Sequence, residues 1–134
     1  NEEGMAVTGE LAQRDFHGLC FVNLVDFDML YGHRNDAHGY AAALTRFDAW
    51  LAGFLPGMRP DDVLILTADH GCDPGDVSTD HTREYVPLLV AGQGIRPASL
   101  GTRDGFGDVA ESVLGFLGAK GSFGAADFSG EVMS

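Results

Sequence analysis

Three short polar segments place histidine beside aspartate: Asp26-Phe-Asp28-Met-Leu-Tyr-Gly-His33, Asp69-His70 and Asp80-His81. Carboxylate oxygen and imidazole nitrogen together suit Zn, Mn or Fe, whereas a cysteine-rich set would favour structural zinc. The mixture points to catalysis at a divalent metal. Taken singly, each segment reads as a solvated loop, a helix cap or an Asx-type turn. Three on one chain, two of them closing predicted buried strands, make coincidence the weaker account. Asp69 and His70 are adjacent, and in extended backbone their side chains diverge, approaching one ion from different sides or serving two ions.

The other reactive side chains carry less. His17 precedes a predicted strand and His38 lies near a helix start, so both read as surface or cap groups. Cys72 is close to Asp69-His70, but nothing in its spacing requires a thiolate ligand. Arg34 and Arg83 each follow a candidate ligand by one or two positions. A guanidinium there can hold a phosphate through two hydrogen bonds, and surface ion pairing with the abundant carboxylates is the competing reading. There is no P-loop and no GxSxG elbow, so a phosphate would have to be held by metal and arginine.

The elements that must position these groups follow from hydrophobic periodicity. The opening run Asn1 to Gln13 is helical in pattern, and the sequence starts with Asn1 rather than Met, so we expect it to begin inside a larger protein. Leu19 to Val25 (LCFVNLV) is a short apolar run of β-formers, expected as a strand buried on both faces. From Tyr40 to Leu55, Tyr40, Ala43, Leu44, Phe47, Trp50, Leu51, Phe54 and Leu55 recur at helical steps until Pro56 and Gly57. Val63 to Thr67 reads as a second buried strand and Tyr85 to Ala91 as a third, with Pro87 marking an irregular or edge start. Asp108 is expected to cap a helix Val109 to Leu117, with Glu111 completing a capping box and Gly118 ending it. The tail, Gly121 to Ser134, is expected to be irregular, with Phe123 or Phe128 docked on the core. Strand, helix and strand in this order make a crossover unit that sets functional groups at the carboxyl ends of parallel strands. The expected fold class is α/β, a three-layer core with a mainly parallel sheet.

Twenty Asp and Glu against eight Lys and Arg give a formal charge of -12 in 134 residues. That field repels nucleic-acid phosphates and anionic membranes, so neither is an expected partner. Cys20 and Cys72 form no paired motif, which fits a reducing compartment, with cytoplasm the default. No stretch approaches the ~20 apolar residues that span a bilayer.

The segments NLVDFDMLYGHRND (Asn23 to Asp36), TADHG (Thr67 to Gly71) and TDHTREYVPLLV (Thr79 to Val90), in that order, closely resemble the phosphopentomutase family of the alkaline phosphatase superfamily. The resemblance covers about Phe16 to Phe116 and only the carboxyl-terminal third or so of a family member. It implies that Asp28, His33 and His81 ligate one manganese ion and that Asp69 and His70 ligate the other. It further implies two Mn2+ per complete site, a sugar phosphate substrate, and interconversion of (deoxy)ribose 1-phosphate and 5-phosphate. That chemistry would run through a phosphorylated threonine and a sugar bisphosphate activator. The threonine segment, a further aspartate ligand and the cap domain would lie upstream, so residues 1–134 are expected to be the carboxyl-terminal part of the core domain, inactive alone. Its exposed, incomplete core would favour association. Phosphoglycerate mutases resemble the chain too, but place histidine four positions after aspartate, whereas His33 follows Asp28 by five. A phosphohydrolase and a non-catalytic metal-binding fragment are the remaining readings.

Overall fold

The computed structural model describes residues 1–134, and chain contacts divide them into two units, Asn1–Met58 with Thr67–Pro87, and Arg59–Leu66 with Leu88–Ser134. No helix is long and apolar enough to cross a membrane.

In the first unit, α1 spans Glu2–Ala12 and opens on two glutamates, which the positive end of the helix dipole favours. A loop leads to a π-helical segment, Phe27–Gly32, and then to α2, Ala37–Phe54. Asp36 caps α2 by accepting a hydrogen bond from the Gly39 amide at 2.8 Å, satisfying one of the free amides of the first turn. The apolar stripe of α2 stacks Trp50 on Phe54 with ring centroids 4.8 Å apart and sets Tyr40 against Phe27 at 5.4 Å. Arg46 on the same helix donates to the Tyr31 hydroxyl at 3.1 Å, so α2 braces the π-helical segment. Pro56 falls in a single 3-10 turn, Leu55–Gly57, where its missing amide ends the helix.

In the second unit, strands β1 (Leu64–Thr67) and β2 (Leu88–Ala91) pair into a two-stranded sheet; the last residue of β1, Thr67, is counted with the first unit. Helix α3 (Gly107–Phe116) packs against a short helix α4 (Ser129–Val132). Phe128 is fully buried between them, edge-on to Phe116, and Arg103 lies over its ring. Gly118, at φ +69°, ends α3: its amide reaches Gly115 O while the Ala119 amide reaches Leu114 O, a paired closure that needs a left-handed residue.

Several sequence expectations change. Leu19 to Val25 is not a strand but an open segment with Leu19, Phe21, Val22 and Val25 exposed; apolar alternation makes a strand only where another strand supplies hydrogen bonds. The third strand begins at Leu88, after Pro87, because proline cannot donate to a ladder. Asp108 and Glu111 form no capping box: Asp108 sits inside the first turn of α3 and accepts from the Ala126 amide at 3.0 Å, and Glu111 accepts from the Phe123 amide at 2.6 Å. Both carboxylates thus hold the returning tail, in which Phe128 is docked, Phe123 is exposed and α4 supplies one helical turn. Without the first strand, the expected crossover unit is not closed within these residues. What stands is a small sheet with helices, compatible with part of an α/β core.

Candidate metal centre

The π-helical segment explains the five-residue spacing of Asp28 and His33. The His33 amide bonds to Asp28 O at 2.9 Å and the Asp36 amide to Tyr31 O at 2.9 Å, the wide i to i+5 closure that commonly marks functional sites. Residues five apart then stand on one side of the turn. An α-helical turn, with its i to i+4 bonds, favours the four-residue spacing instead.

The other two histidines arrive from one strand end and one loop. After β1 the backbone bends at Asp69 and His70, so their side chains do not diverge as extended backbone would have them: His70 Nε2 lies 3.6 Å from Asp69 Oδ1. Gly71 then pairs antiparallel with Thr82, whose amide donates to Gly71 O at 3.2 Å. This bridge lays the His70 ring on the His81 ring, with centroids 3.6 Å apart. Gly71 is buried, and a Cβ there would stand 2.7 Å from both Glu84 N and Thr82 O. Only glycine allows so close a backbone approach.

All three rings turn to Asp28. His33 Nε2 and His81 Nε2 each lie 3.4 Å from Asp28 Oδ1, and His70 Nε2 lies 3.8 Å from it. Donor atoms of Asp28, His33 and His81 fall within 4.8 Å of one another. Asp28 Oδ1 is shut off from solvent and accepts no hydrogen bond, a condition that costs free energy unless something fills the gap. The tautomers say what does. His33 Nδ1 is bonded to Thr79 O at 2.5 Å and His70 Nδ1 to Gly71 O at 3.0 Å. In a neutral ring those protons leave Nε2 a lone pair, and lone pairs aimed at a carboxylate repel it unless a cation lies between. Donors about 2.1 Å from one tetrahedral ion stand roughly 3.4 Å apart. The residues therefore fit a divalent ion on Asp28, His33 and His81.

Asp69 and His70 fall outside that three-donor group, although the His70 ring stacks on His81. Asp69 is 80% exposed, and His70 lies between its carboxylate and that of Asp28. Arg34 and Arg83 are exposed on the segments that carry His33 and His81, and His17 and His38 are exposed as expected. A pocket of about 170 Å³ adjoins the rings, lined by Tyr40, His70, Cys72, Glu84 and Tyr85 among others. Burial, then the thiol of Cys72, then the charge of Asp28, push the Tyr40 hydroxyl above its ordinary range.

Cys72 touches the site without joining the ligand group. Its sulfur sits over Gly32, where a Cβ would collide with it. Burial first, then the Asp28, Glu84 and Asp73 carboxylates, push the Cys72 thiol up, which keeps it protonated and unreactive at neutral pH. Cys20 is exposed. In a timed iodoacetamide reaction at pH 7 followed by peptide mass spectrometry, Cys20 is expected to be alkylated at least about tenfold faster than Cys72. Equal rates would mean that the Gly32 contact does not shield the sulfur.

A cluster of imidazole and carboxylate donors around a shielded, partnerless oxygen has the chemistry of a metal site. Residues 1–121 match the family model described as Metalloenzyme superfamily, and the chain belongs to that superfamily. Its relatives are more particular. It is 53% identical over 133 residues to the phosphopentomutase of Carboxydothermus hydrogenoformans, covering 98% of this chain and 34% of that protein. The phosphopentomutase of Acetivibrio thermocellus is 51% identical over 134 residues, 99% of this chain and 34% of its own length. That of an Anaeromyxobacter species is 55% identical over 120 residues, 90% of this chain and 31% of its own. The chain spans about a third of the length of these relatives.

The residues that sequence reasoning passed over are Thr79, whose carbonyl orients His33, and Asn35, whose amide reaches Asp76 O and Ser78 O. Neither has a signal in residue spacing. An Asn-Asp pair just before a helix marks Asp36 as a cap, but not what Asn35 holds.

Proposed function

We propose that these residues are the carboxyl-terminal part of the core domain of a manganese-dependent phosphopentomutase, which interconverts (deoxy)ribose 1-phosphate and (deoxy)ribose 5-phosphate in the cytoplasm. The observation that carries the reading is the convergence of three Nε2 atoms on the partnerless Asp28 Oδ1, in a chain about half identical to phosphopentomutases. Asp28, His33 and His81 hold one ion, and Asp69 and His70 contribute to a second. When bound, two divalent ions neutralise the charge that develops on a transferring phosphoryl group. The chain's own groups do the positioning. Thr79 O and Gly71 O hold the His33 and His70 rings in one tautomer, and Arg34 and Arg83 supply paired N–H donors for phosphate oxygens.

The threonine that accepts the phosphoryl group, the cap over the sugar and a further aspartate ligand come from segments outside these residues, which complete an alkaline-phosphatase-like three-layer core. Exposed Leu19, Phe21, Val22 and Val25 are where such segments, or another copy, would associate. A sugar bisphosphate primes the threonine. The five-residue spacing of Asp28 and His33, built on a π-helical turn, favours this activity over a phosphoglycerate mutase.

The test is a chimera in which these 134 residues replace the corresponding third of the Carboxydothermus hydrogenoformans phosphopentomutase. We expect manganese-dependent interconversion of ribose 1-phosphate and ribose 5-phosphate by the chimera and none by the 134 residues alone. A folded, metal-loaded chimera that turns over phosphoglycerate or a phosphate ester, and not pentose phosphate, would remove this reading in favour of the other members of the superfamily.

A further inference from the structure

We infer that Asn35 is a positioning residue for the metal centre: its side-chain amide clamps the loop that delivers His81 and thereby sets the meeting of His33 with His81. The inference rests on the metal site proposed above. Asn35 follows His33 by two residues and takes φ +52°, a left-handed conformation that asparagine accepts more readily than most residues. From there its Nδ2 donates to Asp76 O and to Ser78 O, the latter at 3.2 Å. One residue further on, Thr79 O receives His33 Nδ1. Asn35 and His33 therefore grip three carbonyls of one short stretch, 76–79, from the same exit of the π-helical segment.

That stretch is not held by burial. Val77 is 100% exposed and residues 75–81 are exposed throughout. The loop's internal bonds are local, Gly75 N to Asp73 Oδ1, Ser78 N to Asp76 Oδ1 and Asp80 N to Ser78 Oγ. They shape the loop but do not place it. At its far end the Gly71 and Thr82 bridge sets the His81 side of the loop against His70. Asp73 N donates to Thr82 Oγ1 at 2.8 Å and closes the base of the loop, and its middle, residues 76–79, is placed by the two amide protons of Asn35 together with the His33 bond to Thr79 O. Asn35 Oδ1 has no partner, so the group contributes as a donor alone, and a carboxylate of the same shape would oppose both carbonyls. Outer-shell partners of metal ligands are commonly worth 10- to 100-fold in metal affinity, and a clamp one step further out belongs at the lower end.

Two variants separate the clamp from the backbone. Asn35→Gly keeps the left-handed conformation and deletes the amide; Asn35→Asp keeps the shape and removes the donors. Manganese affinity of the full chain is read by calorimetry, with His81→Ala beside them, and the His33 tautomer and amide exchange of residues 76–81 are read by NMR without metal. We expect both variants to lose about tenfold in manganese affinity, to release His33 from its Nδ1–H tautomer, and to speed exchange in residues 76–81 while α1 and α3 exchange as before. Wild-type binding that falls with His81→Ala but is untouched in both Asn35 variants would overturn the inference and leave the metal site standing. Absence of binding in the wild type would sink the metal reading instead, and the clamp would then be decided by tautomer and exchange alone, unchanged values refuting it.

Discussion

Asp28→Asn is expected to abolish manganese binding at the His33 and His81 site, lowering affinity by more than about 100-fold. Asp28 Oδ1 is the atom on which three imidazole nitrogens converge, at 3.4 to 3.8 Å. A neutral amide there brings no negative charge to a divalent ion. The same change deletes the only carboxylate in the Asp28, His33 and His81 group. Thermal melts with and without manganese check it. A wild-type chain at about 100 times its dissociation constant gains about 2.7 kcal/mol from bound ion, and the variant should gain none. A metal-dependent rise in Tm of equal size in the variant would show that Asp28 is not a ligand.

The second large effect is expected from Gly71→Ala. The new methyl carbon would stand 2.7 Å from Glu84 N and Thr82 O and 3.0 Å from Glu84 O. All three atoms are backbone, so no side chain can swing aside. The Gly71 and Thr82 bridge must open, and the stacked rings of His70 and His81 part with it. Forced backbone shifts of this kind cost about 1–3 kcal/mol, and the metal centre should lose affinity alongside. Urea unfolding and manganese titration on the same protein measure the two losses. Full stability together with full affinity would show that the bridge can relax without moving either ring, and that another contact aligns them.

The elements that packed by their own periodicity were readable in advance. Helix α2 was legible because its apolar residues recur at helical steps and Pro56 closes it; β1 was legible from Val63 to Thr67 because a run of β-formers is bounded by turn residues. Leu19 to Val25 is a short apolar run of β-formers, as β1 is, yet it is no strand, since a strand is completed by its neighbours rather than by its own side chains. Asp108 and Glu111 had the spacing of a capping box, but tertiary partners, the Ala126 and Phe123 amides, took both carboxylates.

For the site, the sequence by itself determined the chemistry: nitrogen and oxygen donors in three segments, no phosphate loop, and a five-residue Asp28 to His33 spacing. Which donors meet was decided by tertiary structure alone. His81 reaches Asp28 across more than fifty residues because Gly71 pairs with Thr82 and because Asn35 and His33 hold the carbonyls of residues 76–79. The bend after β1 turned Asp69 and His70 to one side where extended backbone would have parted them. The physical reason is the same in each case. Residue type and period act locally, through side-chain chemistry and backbone preference, whereas a metal centre is a convergence of lone pairs, and the contacts that aim them are made by backbone groups far apart in the chain.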